Sequence, residues 1–252
     1  MSHERLFVVV PFYNEEHGIS ATLNALSEQD DNEFTLLMVD NGSTDASAAI
    51  VNQFAKDHPS LRIRMICESQ KGTGAASDTG FRAAILQGAD WIARTDADCV
   101  PAPDWTRNIK AALRDEGLEF VAGKILPRTD EEPLTTGRKI MLSTMLWLAE
   151  SYGKIHRRGS KFKYPYFMAA GNNLAITASL YERSGGFLRS RLEDLNEDRA
   201  LSEAVRTITS RGGLRKNILV RNSIRRVRAY GALNTLRWYR NRGYRPAEVD
   251  IR

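Results

Sequence analysis

The segment FTLLMVDNGSTD, Phe34–Asp45, decides the fold because a strand pattern passes directly into a turn within it. Phe34–Asp40 is a nearly continuous apolar run that ends on an aspartate, and such runs are typical of a strand buried on both faces. Asn41–Asp45 has the residues of a turn, and Ser43 or Thr44 is predicted to cap the helix that follows. The segment therefore predicts a strand, a turn and a helix in succession.

The same succession recurs on both sides of this segment. Upstream, the apolar run Leu6–Val10 predicts a strand, and apolar residues at helical spacing follow it. Downstream, strands are predicted over Leu61–Cys67 and Trp91–Thr95, and the glycine-rich loop between them opens a helix that ends at Gly88. Strands that alternate with helices at this spacing predict a parallel, doubly wound α/β sheet. Ligands bind such sheets beyond the carboxyl ends of the strands.

The second half of the chain is less regular. A strand is predicted over Phe120–Lys124, and helices are predicted over Ile140–Ala149 and Glu197–Arg206. The 252 residues contain no internal repeat and no evident linker. We therefore expect one domain over residues 1–205, followed by a basic extension over residues 206–252.

Charge is unevenly distributed along the chain. Residues Ala204–Ala247 contain twelve Lys or Arg and no Asp or Glu, so the rest of the chain, at an overall net charge of +5, carries about 5 − 12 = −7. Such a stretch predicts an anionic partner, which could be a phosphorylated ligand, an anionic membrane face or nucleic acid. Nucleic acid is not expected, because no nucleic-acid-binding module is recognisable. The arginines of Arg221–Gly231 could bind a diphosphate, and a solvated surface, a peripheral membrane contact and a homodimer contact are open alternatives for the rest.

The cysteine usage favours a cytoplasmic protein. Cys67 and Cys99 fit neither a disulfide framework nor the spacing of a metal site. No apolar run reaches the roughly 20 residues that span a bilayer, and no signal-peptide pattern is seen. We expect a cytoplasmic location, with peripheral contact at the inner membrane face as an alternative.

Two aspartates, Asp96 and Asp98, follow the fourth predicted strand in the segment TDADCVP. In extended chain their side chains would point to the same face. A hard cation such as Mg²⁺ or Mn²⁺ takes carboxylate oxygens and shares its remaining positions with phosphate. The same pattern also occurs in solvated turns, but its place at the end of a predicted strand favours a metal site that binds a diphosphate.

The glycine-rich loop KGTGAAS, Lys71–Ser77, raises the question of a dinucleotide site. The dinucleotide fingerprint needs glycine at three set positions after the first strand. Gly72 and Gly74 fit, but Ser77 takes the third position and the loop follows the third predicted strand. An NAD site is therefore not expected, although the small residues still allow a ligand to approach the backbone closely.

Taken together and in order, six segments resemble the family 2 glycosyltransferases of the GT-A fold: VVVPFYNEE, VDNGSTD, KGTGAASDTGFRAA, DADCVPAPDW, GNNLAI and GGF…NEDRAL. The resemblance implies a nucleotide-binding α/β fold with a mixed, mainly parallel sheet flanked by helices. It implies metal-dependent transfer of a sugar, with inversion, from a nucleotide-sugar donor to a glycan, lipid-linked or small-molecule acceptor. Residues 1–101 would bind the nucleotide-sugar and residues 102–205 the acceptor.

The resemblance also implies roles for individual residues. Asp98 would bind the metal, Mn²⁺ or Mg²⁺, and Gly171, Asn172 and Asn173 would border the donor sugar and the acceptor. The remaining residues would contact the donor: Pro11, Tyr13, Glu15, Asp40, Lys71, Gly72 and Asp96.

Asp198 would be the general base. Single displacement needs a carboxylate that removes the acceptor's proton on the face opposite the departing diphosphate. The segment LEDLNEDRAL has two Glu-Asp pairs, and the second is preferred because it continues into a helical pattern. Asp194 is the alternative base, and Glu197 is a neighbouring carboxylate that could raise the pKa of Asp198.

Two other functions stay open. A nucleotidyltransferase of related architecture would also use carboxylates and a metal, but such enzymes usually carry a glycine-rich phosphate loop where this chain has Pro11–Glu15. A non-catalytic nucleotide- or RNA-binding protein would use the basic stretch, would bind in a salt-sensitive way and would not need Asp198.

Overall fold

The structure, a computed structural model, describes residues 4–128, 130, 137, 144, 159–189 and 197–225. Its strands are β1 (Leu6–Phe12), β2 (Phe34–Asp40), β3 (Arg62–Cys67), β4 (Trp91–Arg94), β5 (Cys99–Pro101), β6 (Phe120–Pro127), β7 (Leu174–Thr177) and β8 (Gly212–Asn222). The helices that position the site are α1 (Ile19–Ser27), α2 (Ser47–Asp57), α3 (Thr73–Leu86), α4 (Trp105–Arg114), α5 (Ala178–Ser184) and α6 (Glu197–Ile208).

The strands form one eight-stranded sheet in the order β3-β2-β1-β4-β7-β6-β8-β5. β1 pairs in parallel with β2 and β4, β2 pairs in parallel with β3, and β6 pairs in parallel with β8. β7 is antiparallel to β4 and β6, and β5 is antiparallel to β8. The predicted mixed, mainly parallel sheet is confirmed.

Helices cover both faces of the sheet, and this explains why β1 and β2 are apolar without interruption. Alternate residues of β1 enter different cores: Val8 packs with α1, α2 and α4, whereas Val9 packs with α3, α5 and α6. Gly80 lets α3 approach β1 closely, because a Cβ there would lie 2.4 Å from a methyl carbon of Val9. A strand in such a sheet has no solvent face, so it needs no polar residue.

The predicted cap of α2 is wrong. The helix begins at Ser47, after Ala46, and neither Ser43 nor Thr44 caps it. Instead the backbone N–H of Ser43 donates to Asp40 Oδ1 (2.8 Å). The polar residues of this segment therefore fold the turn back onto the end of β2.

Strand β8 lies inside the sheet, between β6 and β5. Its residues Ile218 and Val220 are buried in the same core as α1 and α4. The first part of the stretch expected as a basic extension thus contributes a strand, while the division of the chain into domains stays a prediction.

Several sequence predictions lie outside the described residues. They are the helix over Ile140–Ala149, the alternative base Asp194 and the basic stretch after Arg225. Within the described ranges, no helix is both long and apolar enough to cross a membrane.

Candidate functional site

The segments that follow β1 and β2 lie side by side at one edge of the sheet. The backbone N–H of Asn41 donates to the carbonyl of Phe12 (2.9 Å), and the N–H of Glu15 donates to Ser47 Oγ (2.7 Å). Pro11 lies one residue before the end of β1 and is buried. The Pro11–Glu15 segment therefore lies against the turn after β2.

Lys71 and Gly72 reach the same edge from the loop before α3. Lys71 Nζ donates to the carbonyls of Asn41 (2.8 Å) and Gly42 (2.9 Å), and it lies 3.8 Å from the centre of the Tyr13 ring. The N–H of Gly72 donates to Asn41 Oδ1 (2.8 Å). The φ of Gly72 is 136°, a conformation that glycine adopts far more readily than other residues. The structure therefore brings Tyr13, Lys71 and Gly72 together beside the buried end of β2, where Asp40 lies.

The carboxylates of Glu15 and Asp98 meet at one guanidinium. Arg225 Nη2 donates to Glu15 Oε2 (2.6 Å) and to Asp98 Oδ2 (3.1 Å). Burial raises the pKa of Glu15 to about 7, while the hydrogen bond and charge of Arg225 oppose the rise and the charges of Asp98 and Asp96 add to it. The two carboxylates therefore form a partly desolvated pair that a cation stabilises.

The two predicted metal-site aspartates do not lie in extended chain. β4 ends at Arg94, and Ala97 and Asp98 form a turn before β5. Asp96 Oδ1 accepts hydrogen bonds from Arg94 Nη2 (3.0 Å) and Nε (3.2 Å), whereas Asp98 contacts Arg225. Each carboxylate therefore binds a different arginine.

The residues around Asp98 suit a divalent cation that substrate helps to hold. Among the described residues, no group of three or more His, Cys, Asp or Glu could hold a metal ion. Mg²⁺ is commonly bound by one or two carboxylates together with substrate phosphates and water. Asp98 and Glu15 supply two carboxylates that already share a positive partner, and this donor set fits such an ion.

The three predicted acceptor-side residues differ in their surroundings. Asn173 is fully buried: its Nδ2 donates to the carbonyls of Lys124 (2.9 Å) and Ile218 (3.0 Å), and its Oδ1 accepts from Trp105 Nε1 (2.9 Å). Asn172 Oδ1 is also buried, but it has no hydrogen-bond partner in the described part of the chain. The side chain of Asn173 is therefore engaged in the core, and the carbonyl oxygen of Asn172 is left as an acceptor.

Asp198 and Glu197 stand in the first turn of α6. Asp198 Oδ2 accepts from the backbone N–H of Gly171 (3.1 Å), and Glu197 Oε1 lies 3.7 Å from Arg94 Nη1. Burial raises the pKa of Glu197, Arg94 opposes this rise, and the charge of Asp198 adds to it. The structure thus brings the predicted base together with Gly171 and with the end of β4.

Arg94 and Arg225 are the site residues that the sequence reasoning missed. Arg94 had a recognisable signal, because it is a charged residue in the otherwise apolar strand WIAR. Arg225 lies in the arginine-rich segment expected to bind a diphosphate, but the sequence did not show that it contacts Glu15 and Asp98. Sequence spacing carries no information on a contact across 210 residues.

Comparisons with known proteins bear on the family and the fold of this chain. A family model described as "Glycosyl transferase family 2" matches residues 7–184. Glycosyltransferase AglE of Haloferax volcanii is 33% identical over 120 residues, which is 47% of this chain and 38% of that protein. A UDP-N-acetylglucosamine–dolichyl-phosphate N-acetylglucosaminyltransferase of Methanococcus voltae is 28% identical over 142 residues, which is 52% of this chain and 56% of that protein. The chain therefore spans between 38% and 56% of the length of these relatives.

Solved structures share the fold. Mannosyltransferase PcManGT from Pyrobaculum calidifontis, in complex with GDP-Man and Mn²⁺, matches with a TM-score of 0.65 at 22% identity, over 97% of this chain and 66% of that chain. S. aureus TarS in complex with UDP-GlcNAc also matches with a TM-score of 0.65, at 16% identity, over 87% of this chain and 58% of that chain. At such low identity these matches concern the fold alone, and they confirm the predicted GT-A fold. Because the family match extends over most of the chain, from residue 7 to residue 184, this protein belongs to glycosyl transferase family 2.

Proposed function

We propose that this protein transfers a sugar from a nucleotide-sugar donor to an acceptor hydroxyl by single displacement, with inversion at the sugar and with Mn²⁺ or Mg²⁺ at Asp98. The observation that carries the proposal is the presence of two carboxylate pairs at one sheet edge. Glu15 and Asp98 form one pair, and Glu197 and Asp198 form the other. A transferase of this kind needs one anionic group to hold the metal and diphosphate and another to take the acceptor's proton.

On the donor side, the loops after β1, β2 and β3 would bind the nucleotide. Tyr13, Asp40 and Lys71 lie together there, and the glycine-rich start of α3 allows a ligand near the backbone. Glu15 and Asp96 complete the donor contacts, and Pro11 shapes the end of β1. PcManGT and TarS, which share this fold, bind GDP-Man and UDP-GlcNAc respectively, and this supports a nucleotide-sugar as the donor.

Asp98 would hold the divalent cation, with Glu15 close beside it. When bound, such a cation offsets the negative charge that grows on the diphosphate as it leaves. Arg225 is positioned to neutralise the same two carboxylates when no cation is present. The Mn²⁺ in the PcManGT complex supports a cation of this class.

On the acceptor side, Asp198 would remove the proton from the attacking hydroxyl. The N–H of Gly171 holds one of its oxygens, and the next residue, Asn172, has a buried Oδ1 without a hydrogen-bond partner among the described residues. The Methanococcus voltae relative is named for a dolichyl-phosphate acceptor, and a Photorhabdus laumondii relative is named for undecaprenyl phosphate. These names support a lipid-linked acceptor.

A binding assay and an activity assay together test the proposal. One or more nucleoside diphosphates should raise the melting temperature of the protein with Mn²⁺ present, and Asp98→Asn should remove most of this effect. Asp198→Asn should keep nucleotide binding but lower transfer by about 100-fold or more, since a positioned base contributes about that much. Asp57→Asn, at the distant end of α2, is the matched control and should alter neither nucleotide binding nor sugar transfer. A protein that no nucleoside diphosphate stabilises, with or without metal, contradicts the donor site.

A further inference from the structure

Arg94 is a fully charged side chain placed inside the sheet. It ends β4, and only 2% of its surface is exposed. An unpaired charge at such a depth is strongly unfavourable, so a buried arginine needs specific anionic partners. Its partners come from both halves of the candidate site.

The donor-side partner of Arg94 is Asp96. Two guanidinium nitrogens, Nη2 and Nε, donate to the same oxygen Oδ1, at 3.0 Å and 3.2 Å. This fork–carboxylate geometry fixes the direction of the Asp96 side chain. The position of Asp96 at the donor therefore depends on Arg94.

The acceptor-side partners of Arg94 are Glu197 and the backbone of Gly171. Nη1 lies 3.7 Å from Glu197 Oε1 and has no hydrogen-bond partner among the described residues. Gly171 packs directly on the guanidinium, because a Cβ at this position would lie 2.7 Å from Nη1. The N–H of the same Gly171 donates to Asp198 Oδ2. Arg94 thus contacts the neighbour of Asp198 in sequence and also the residue that holds the Asp198 carboxylate.

We propose that Arg94 is a positioning residue for sugar transfer, whose single guanidinium aligns Asp96 at the donor with Glu197 and Asp198 at the acceptor. This inference rests on the proposed function of the same site. The charge of Arg94 opposes the rise that burial causes in the pKa of Glu197, and its guanidinium packs against Gly171, whose N–H donates to the Asp198 carboxylate. One guanidinium thereby fixes the positions of both Asp96, the donor contact, and Asp198, the base.

Charge supports this role. Among the described residues, the charges that act on the pKa of Glu197 include those of Arg94, Asp198 and Asp96, and the uncharged Gly74 of α3 lies against its Cβ. Arg94 is the cation among these groups. Its removal leaves three carboxylates near one another in a partly buried space, which favours protonation of one of them.

The test follows the titration of Glu197 by carbon-13 NMR of labelled glutamate carboxyls, with Glu197→Gln identifying the signal. In Arg94→Met, Glu197 should titrate about one pH unit or more higher than in the unaltered protein. The acid limb of kcat for transfer should move upwards with it, and kcat near neutral pH should fall about tenfold or more. Arg94→Lys keeps the positive charge but lacks the two guanidinium nitrogens that donate to Asp96, so the Glu197 titration should shift less than in Arg94→Met. If Arg94→Met does not fold, Arg94→Lys provides the test.

Arg206→Met is the matched control. Arg206 is also 2% exposed, but it donates to the carbonyl of Tyr164 and lies at the far end of α6. Replacement of Arg206 should lower the melting temperature. It should change neither the titration of Glu197 nor the acid limb of the pH profile of kcat. An unchanged titration and acid limb in Arg94→Met and Arg94→Lys overturn the role of Arg94. If the NMR shift appears but the unaltered protein transfers no sugar from any nucleotide-sugar, the charge coupling stands and the proposed function fails.

Discussion

At the scale of single residues, the site is built from half-buried carboxylates and the arginines that stabilise them. Glu15 and Asp98 share Arg225, and Asp96 and Glu197 share Arg94. Carboxylates this close repel one another unless a positive group lies between them. Two aspartates in sequence therefore indicated that a cationic partner was needed, but not which one.

The first residue-scale prediction concerns Arg225. Arg225→Met removes the cation between Glu15 and Asp98, so Mn²⁺ should raise the melting temperature of this variant more than that of the unaltered protein. Arg215→Met is the control, because Arg215 pairs with Glu116 and not with the site carboxylates. An equal or smaller Mn²⁺ effect in Arg225→Met would show that metal and guanidinium do not compete.

The pKa of Glu15 gives a second prediction, on pH. Its folded-state value, about 7, lies above the ordinary 4.5, so Glu15 favours the folded state most when protonated. This stabilisation is fully present at a pH below the ordinary pKa of 4.5. It is lost as the pH rises towards and through the folded-state pKa of about 7. The stability of Glu15→Gln should therefore fall less between about pH 5 and pH 8 than that of the unaltered protein. Urea unfolding across this range measures it, and parallel curves for the two proteins would contradict it.

The neighbours Asn172 and Asn173 give a third prediction, with each as the control for the other. Asn173→Ala leaves Trp105 Nε1 and two carbonyls unpaired in the core and should cost about 2 kcal/mol or more of unfolding free energy. Asn172→Ala removes a carbonyl oxygen that lacks a partner among the described residues, and it should cost less than about 1 kcal/mol while lowering transfer. Urea unfolding and an activity assay separate them. Equal stability losses would contradict the different surroundings of the two side chains.

At the scale of the elements, sequence patterns predicted strands β1, β2, β3, β4 and β6, but they missed α4, β5, β7, α5 and β8. β1 and β2 have enough buried apolar residues to be recognised, and their predicted positions are confirmed to within two residues. β5 has only three residues, and no periodicity can be read from so short a segment. Its position is decided by pairing with β8, which is far away in sequence.

The fourth prediction concerns Glu119, which joins three elements outside the site. Its carboxylate lies 2.9 Å from Arg183 of α5 and 2.8 Å from Arg211, and it also accepts a hydrogen bond from Thr209 Oγ1, just before β8. Glu119→Gln should lower the free energy of unfolding by about 1–3 kcal/mol, because it breaks a network of hydrogen bonds to a buried charged group. Glu116→Gln, which loses an exposed ion pair with Arg215, should cost less than about 1 kcal/mol.

The pH dependence of this effect follows from the pKa of Glu119. Burial opposes its ionisation, but hydrogen bonds from Thr209 and Arg211 outweigh burial and hold the pKa below its ordinary value. The stabilisation is therefore complete above the ordinary value and is lost as the pH falls through the folded-state value. The difference between Glu119→Gln and the unaltered protein should shrink in acid, and a difference that grows there would contradict the sign.

At the scale of the whole molecule, β8 completes the sheet. It pairs with β6 and β5, and it buries Ile218 and Val220 against residues from the first half of the chain. A chain that ends at residue 205 would lose these pairings and expose the side of β6. Two buried aliphatic side chains alone contribute about 3–6 kcal/mol, which is comparable to the whole stability of many domains.

The fifth prediction follows from the way in which β8 completes the sheet. A chain of residues 1–205 should show no cooperative unfolding in urea, whereas a chain of residues 1–225 keeps every described strand and should unfold cooperatively. Circular dichroism during urea titration measures both. If the shorter chain is as stable as the longer one, the boundary predicted at residue 205 stands and β8 is dispensable.

The sequence by itself determined the class of the fold, the order of its first elements and the family, because these depend on local patterns: apolar runs, helical spacing and motifs in a set order. The tertiary structure alone decided which charges meet. Arg94 with Glu197 and Arg225 with Glu15 are separated by 103 and 210 positions, and only the folded sheet brings each pair together. The physical reason is that burial of an apolar strand follows from its own residues, whereas an ion pair depends on where two distant segments come to lie.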